Sequence, residues 1–208
     1  MLRLLLALPL VLLMEEVGLA QDAGPVLQSS RWPPAAVSIG EDFKVLAMDR
    51  IKIGAAGAVI TVAVDTAGGE VQRFYWIQFE GFPAGSGYNY DYSSLPYTDS
   101  IGGLVFHSDT RYGAYSPSEI RNERDTGTVV GMLRDHGLDV PAPMMRIRMV
   151  ALDESRENEL MIIYLESLAV EGLSTDALDA DPALWSEVSD GLRQRAIAGF
   201  NLDYDLTD

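Results

Sequence analysis

The chain has only two histidines and no cysteine, so the chemistry open to it is narrow. His107 stands in His107-Ser108-Asp109-Thr110-Arg111, directly after the apolar Leu104-Val105-Phe106. At the end of a strand, residues i and i+2 point to the same side, which places His107 and Asp109 to share a metal or to activate a water. No second histidine cluster or CxxC completes a ligand set, and no G-x-S-x-G elbow accompanies the pair. His107 and Asp109 are therefore a candidate acid–base pair of a hydrolase, set against the ordinary role of a hydrogen-bonded strand-end histidine. No metal or cofactor is expected. His136 falls in the last turn of an expected helix, where its ring covers the final carbonyls.

A second candidate is the stretch from Phe79 to Tyr97, which holds Tyr88, Tyr90, Tyr92 and Tyr97 among glycine, serine and asparagine. If extended, Tyr88, Tyr90 and Tyr92 present rings on one side, with Asn89 and Asp91 on the other. Rings with apolar faces and hydrogen-bonding edges suit recognition of a protein partner or small ligand, and they lose little side-chain entropy on binding. The opposing expectation is that the rings pack back over a sheet edge. The length of the loop favours binding, with at least two of the four rings exposed.

Arg73, Arg146 and Arg148 are a third group, able to receive an anion in forked geometry if their strands adjoin, though a solvated face balanced by acidic neighbours is the simpler reading. Met144, Met145, Met149 and Met161 read as core filler.

The elements that must position these residues begin after an export pattern. Arg3 precedes an apolar run from Leu4 to Met14, and Gly18 and Ala20 stand at the -3 and -1 positions of a cleavage site before Gln21. The run is too short to span a bilayer, which takes about 20 apolar residues, and Glu15-Glu16 interrupt it. Residues 1–20 are thus expected to be a cleaved signal peptide, 21–40 an extended arm or linker, 41–202 one domain, and 203–208 an acidic tail. The product is expected in a periplasm or outside the cell, with no membrane span after cleavage. Arginine-heavy, lysine-poor usage hints at a GC-rich bacterial source.

The net charge of -16, with only Lys44 and Lys52 as lysines, argues against a nucleic-acid partner, which needs a basic patch to release counterions. Acidic stretches such as Asp153 to Glu157 and Asp176 to Asp190 read as solvated surface. With 48% hydrophobic and 22% charged residues the chain is globular, and without cysteine it must hold itself by apolar packing.

Phe43, Val45, Ala47, Ile51 and Ile53 alternate as a strand. Ala58 to Asp65 and Val71 to Phe79 follow as a hairpin about Gly68-Gly69, with Val71, Tyr75, Ile77 and Phe79 on one side. Met145, Ile147, Met149 and Ala151 alternate with Arg146 and Arg148, and after a polar turn Leu160 to Leu165 returns buried on both faces. One helix starts at Asp125 or Thr126 and stops at Gly137. Another has Asp181 as cap and Pro182 at its first position, uses Leu184, Trp185, Val188, Leu192 and Ala196, and ends at Gly199. The expected fold is α+β: an antiparallel sheet from two hairpins, about 43–79 and 144–166, with two or more helices, the C-terminal one burying Trp185 on the sheet.

These readings together point to an exported, non-enzymatic binding or accessory domain of a bacterial envelope that uses its tyrosine-rich loop. The alternatives are a periplasmic hydrolase at His107 and Asp109, or a structural envelope protein without a ligand.

Overall fold

A computed structural model describes residues 26–29 and 33–204. The expected leader, 1–20, lies outside the described residues, as do 205–208 of the expected tail.

The described residues form two antiparallel sheets and four α-helices. The small sheet pairs β1 (Val26–Ser29), β2 (Ala35–Ile39) and β10 (Phe200–Tyr204), with β2 in the middle. The large sheet contains β3 (Lys44–Ile53), β4 (Ala56–Ala67), β5 (Glu70–Gly81), β6 (Tyr97–Ile101), β7 (Leu104–Gly113), β8 (Met144–Leu152) and β9 (Asn158–Ser167). Their order is β3-β4-β5-β9-β8-β7-β6. Helices α1 (Pro117–Asn122) and α2 (Arg124–Asp135) follow β7, and α3 (Thr175–Ala180) and α4 (Pro182–Ala198) follow β9.

The large sheet is covered on both faces. Tyr75, Ile77, Met145, Ile147, Met149, Ile162 and Tyr164 face α4 and the small sheet, meeting Leu192, Ala196, Val37 and Phe200. Phe74, Trp76, Met161, Ile163 and Leu165 face α2, whose Val129, Met132 and Leu133 are buried against them. β9 is consequently buried on both sides, as its unbroken apolar run requires.

Several local expectations are met. Gly68 and Gly69 turn the β4–β5 hairpin with φ of 63° and 85°, angles that glycine adopts without strain. Asp181 caps α4 by accepting from the Ala183 and Leu184 amides, with Pro182 at the first helical position. Glycine is required at the Gly199 cap of α4 for a tertiary reason: a Cβ there would collide with the Tyr75 hydroxyl, which donates to the Ala196 carbonyl at 2.7 Å. The His136 ring bonds the Met132 carbonyl at 2.9 Å, and Met144, Met145, Met149 and Met161 are all buried.

Other expectations need correction. The sheet is larger than two hairpins, because β6 and β7 add a third at its edge. Thr98, Asp99 and Ser100 in β6 and the run His107 to Arg111 in β7 are polar on both parities, so no apolar alternation reveals the pair. His107 therefore lies inside β7 and not at a strand end. Ala35–Ile39, placed in an arm, is paired on both edges, and Asp203 and Tyr204, placed in a tail, pair with Ala36 and Ala35.

Two bulges break the expected alternation. One, between Val45 and Ala47, turns Leu46, Ala47 and Ile51 to the α2 face while Phe43 and Val45 stay on the other. The second leaves Gln72 between the pairs Thr66–Val71 and Asp65–Arg73, so Val71 joins Phe74 and Trp76 instead of Tyr75. Trp185 is only half-buried, meeting the Tyr112 ring edge-on at 4.7 Å, and the tryptophan sealed in the core is Trp76.

Candidate functional site

The tyrosine loop leaves β5 at Gly81 and returns at β6, and two backbone bonds seat it on the β8–β9 turn: Phe82 N–H to the Glu157 carbonyl at 2.9 Å and Tyr90 N–H to the Arg156 carbonyl at 2.8 Å. Asp153 shapes that turn by accepting from the Glu157 and Asn158 amides. An ion pair between Arg156 and Asp91, 2.8 Å, adds a side-chain link.

Within the loop the aromatic rings form a continuous ladder. Tyr88 lies 5.4 Å from Phe82, Phe82 stacks on Tyr90 at 4.6 Å, and Tyr90 stacks on Tyr92 at 6.3 Å. The Arg148 guanidinium continues it, 5.7 Å from the Tyr92 centroid. Tyr88 is 58% exposed, whereas Tyr90, Tyr92 and Tyr97 are half-buried. Tyr97 lies apart, at the start of β6, beneath the Arg193 guanidinium at 4.2 Å. The expectation of at least two exposed rings among the four is thus corrected. The hydroxyls of Tyr90 and Tyr92 have partners on the sheet that draw both rings inward.

Those partners are a pair of glutamates. Glu80 on β5 and Glu159 on β9 are cross-strand neighbours, and both are buried. Tyr90 donates to Glu80 at 2.7 Å, and Tyr92 donates to Glu159 at 2.8 Å. Glu80 also accepts from Gln78, whose own carbonyl accepts from the Trp76 indole at 3.0 Å. Burial raises the Glu159 carboxyl to about 7; Glu80 and Asp125 add to the shift, and the Tyr92 bond and Arg148 oppose it. Burial likewise raises Glu80, and both phenols are pushed up, each by burial and its glutamate. Glu159 can therefore hold or release a proton near neutrality.

His107 and Asp109 do share the α2 face, but they do not form a dyad. The two Asp109 oxygens accept from Arg148 Nε at 2.8 Å and Arg146 Nη2 at 3.1 Å. With its carboxylate taken by two guanidiniums, Asp109 does not orient the imidazole. Arg73 does not meet Arg146 and Arg148 either: it lies on the opposite face, paired with Asp65 at 2.6 Å and set over the Phe43 ring. The arginine that does adjoin Arg146 is Arg111, its cross-strand neighbour.

Sequence reasoning missed the glutamate pair. The available signal was a carboxylate flanking the apolar stretch of each of two strands, Glu80 next to the end of β5 and Glu159 next to the start of β9. Among the described residues no group of three or more acidic or histidine side chains is arranged to hold a metal ion, and no helix is long and apolar enough to cross a membrane. Comparison with protein-family models, with curated proteins and with solved structures finds no match for this chain.

Proposed function

We propose that this chain is an exported binding domain of a bacterial envelope, taking a protein partner or small ligand on the outer end of its aromatic ladder. The observation that carries the reading is the asymmetry of that ladder. Tyr90 and Tyr92 are held from below by buried glutamates, while Tyr88 leans at a tilt against Phe82 and is more than half exposed. A rigid base beneath an exposed aromatic tip lowers the ordering cost that a flexible loop would incur on binding. Gly85 and Gly87, both at positive φ, and Ser86 and Asn89 leave the tip open on its flanks. Export rests on the leader pattern of residues 1–20.

The test is retention of envelope components by immobilised wild-type protein and by Tyr88→Ala. A component held by the wild type and lost by a variant of equal melting temperature supports the reading. Equal retention by both removes Tyr88 from the binding surface.

A second reading comes from the glutamate pair. A carboxyl that titrates near neutrality beside another carboxyl and two phenols suits general acid–base work, and it is a better hydrolase centre than His107 with Asp109. Glu159→Gln separates the two readings. It abolishes turnover if Glu159 is the acid or base, and it leaves attachment through Tyr88 in place if the ladder only binds.

A further inference from the structure

We propose that Arg111 and Arg146, with the Tyr115 hydroxyl, form a subsite for a small oxyanion, a carboxylate or phosphate group, on the α2 face of strands β7 and β8. The inference is independent of the tyrosine loop.

Arg111 and Arg146 are direct cross-strand partners on one face. Like charges opposite one another in a sheet destabilise it, so the arrangement needs a compensating anion. The protein supplies two. Glu119 accepts from Arg111 Nη1 at 2.7 Å, and Asp109 accepts from Arg146 Nη2 at 3.1 Å. But Asp109 is shared with Arg148, so three guanidiniums face two carboxylates. Arg148 also lies near the half-buried Asp125 and the buried Glu159. The positive surplus consequently falls at the Arg111–Arg146 end, in a chain whose acidic side chains outnumber the basic ones by 31 to 15.

The donors at that end are not used up. Arg146 Nε and the Tyr115 hydroxyl are buried with no hydrogen-bond partner, an unfavourable condition for a polar group withdrawn from water. The Arg111 guanidinium lies over the Tyr115 ring at 4.8 Å, and Arg111 and Arg146 both act on the Tyr115 phenol, opposing the rise that burial causes. Burial, and after it the neighbouring Arg111, hold the Arg146 guanidinium below its ordinary value, with Tyr115 and Asp109 opposing them. The Arg111 side chain is 35% exposed and that of Arg146 12%, so Arg111 is the member of the pair that solvent reaches more readily. Two guanidiniums and a phenol present the several donors in forked geometry that an oxyanion takes.

The test uses the intact protein at constant ionic strength, with chloride replaced stepwise by inorganic phosphate in one series and by acetate in another. A saturating rise in melting temperature with either anion, lost in Arg111→Gln and weakened several-fold in Tyr115→Phe, is the expected result. The anion that saturates first identifies the group. A rise that does not saturate and is the same in Arg111→Gln is a general salt effect and overturns the proposal, as does no rise with either anion. If Arg111→Gln does not fold, arginine Nε–H resonances of the wild type decide the matter. Phosphate or acetate should move those of Arg111 and Arg146 and leave the exposed Arg134 unmoved, and uniform or absent shifts overturn the proposal.

Discussion

The Tyr92 hydroxyl donates to the Glu159 carboxyl at 2.8 Å across 67 positions of sequence, and this one bond ties the aromatic loop to the most buried acidic pair on the α2 face. A surface element and a core element are thereby joined by a hydrogen bond to a carboxyl that burial raises to about 7.

Stability should carry the signature of that proton. The Glu159 carboxyl titrates at about 7 in the folded chain against an ordinary 4.5, so between those values the folded state binds the extra proton. Its contribution is fully present below about 4.5 and is lost as pH rises through about 7, to a total of about 3 kcal/mol. Glu159→Gln should remove this slope, matching the wild type near pH 4 and exceeding its stability at pH 8. Parallel pH profiles of chemical denaturation for the two proteins would refute the assignment.

Removing a hydroxyl should separate anchor from tip. Tyr92→Phe leaves Glu159 buried without its donor and should cost about 1–3 kcal/mol, whereas Tyr88→Ala should stay within about half a kcal/mol of wild type. Urea midpoints of the two variants check the order. A Tyr88→Ala variant as unstable as Tyr92→Phe would mean that the tip belongs to the fold.

Gly199 and Tyr75 should prove interdependent. A Cβ at 199 collides with the Tyr75 hydroxyl, so Gly199→Ala should cost about 2 kcal/mol, and combining it with Tyr75→Phe should recover part of that loss. Additive losses in the double variant would show that the two positions do not touch.

The two tryptophans should differ. Trp76 is sealed in the core with its indole bonded to Gln78, and Trp76→Ala should cost about 3–5 kcal/mol. Half-buried Trp185 packs on Tyr112, and Trp185→Ala should cost about 1 kcal/mol. Thermal unfolding of both variants ranks them, and the reverse order would contradict the docking of α4.

Expression of the full chain in a Gram-negative host should yield a protein beginning at or near Gln21, read by intact-mass measurement. A product retaining Met1 in the cytoplasm would remove the basis for placing the partner in the envelope.

The sequence by itself determined what short-range physics controls. Gly68-Gly69 permits one tight turn, Asp181 and Pro182 start α4, His136 and Gly137 close α2, and a strand apolar on both sides can only lie at the centre of a covered sheet. Each signal is complete within a few neighbouring residues, because φ preference, capping and alternation are local properties. Tertiary structure alone decided which strands adjoin. Placing β9 beside β5 joins Glu80 to Glu159, and placing β7 beside β8 sets Arg111 against Arg146 and gives Asp109 to the arginines instead of His107. The bulges at Leu46 and Gln72 reassigned whole runs of side chains to the opposite face, since one extra residue shifts a period of two. The tyrosines were legible as residues of interest, but their orientation was not. Which rings turn inward depends on buried carboxylates that reach the loop only after the sheet has formed.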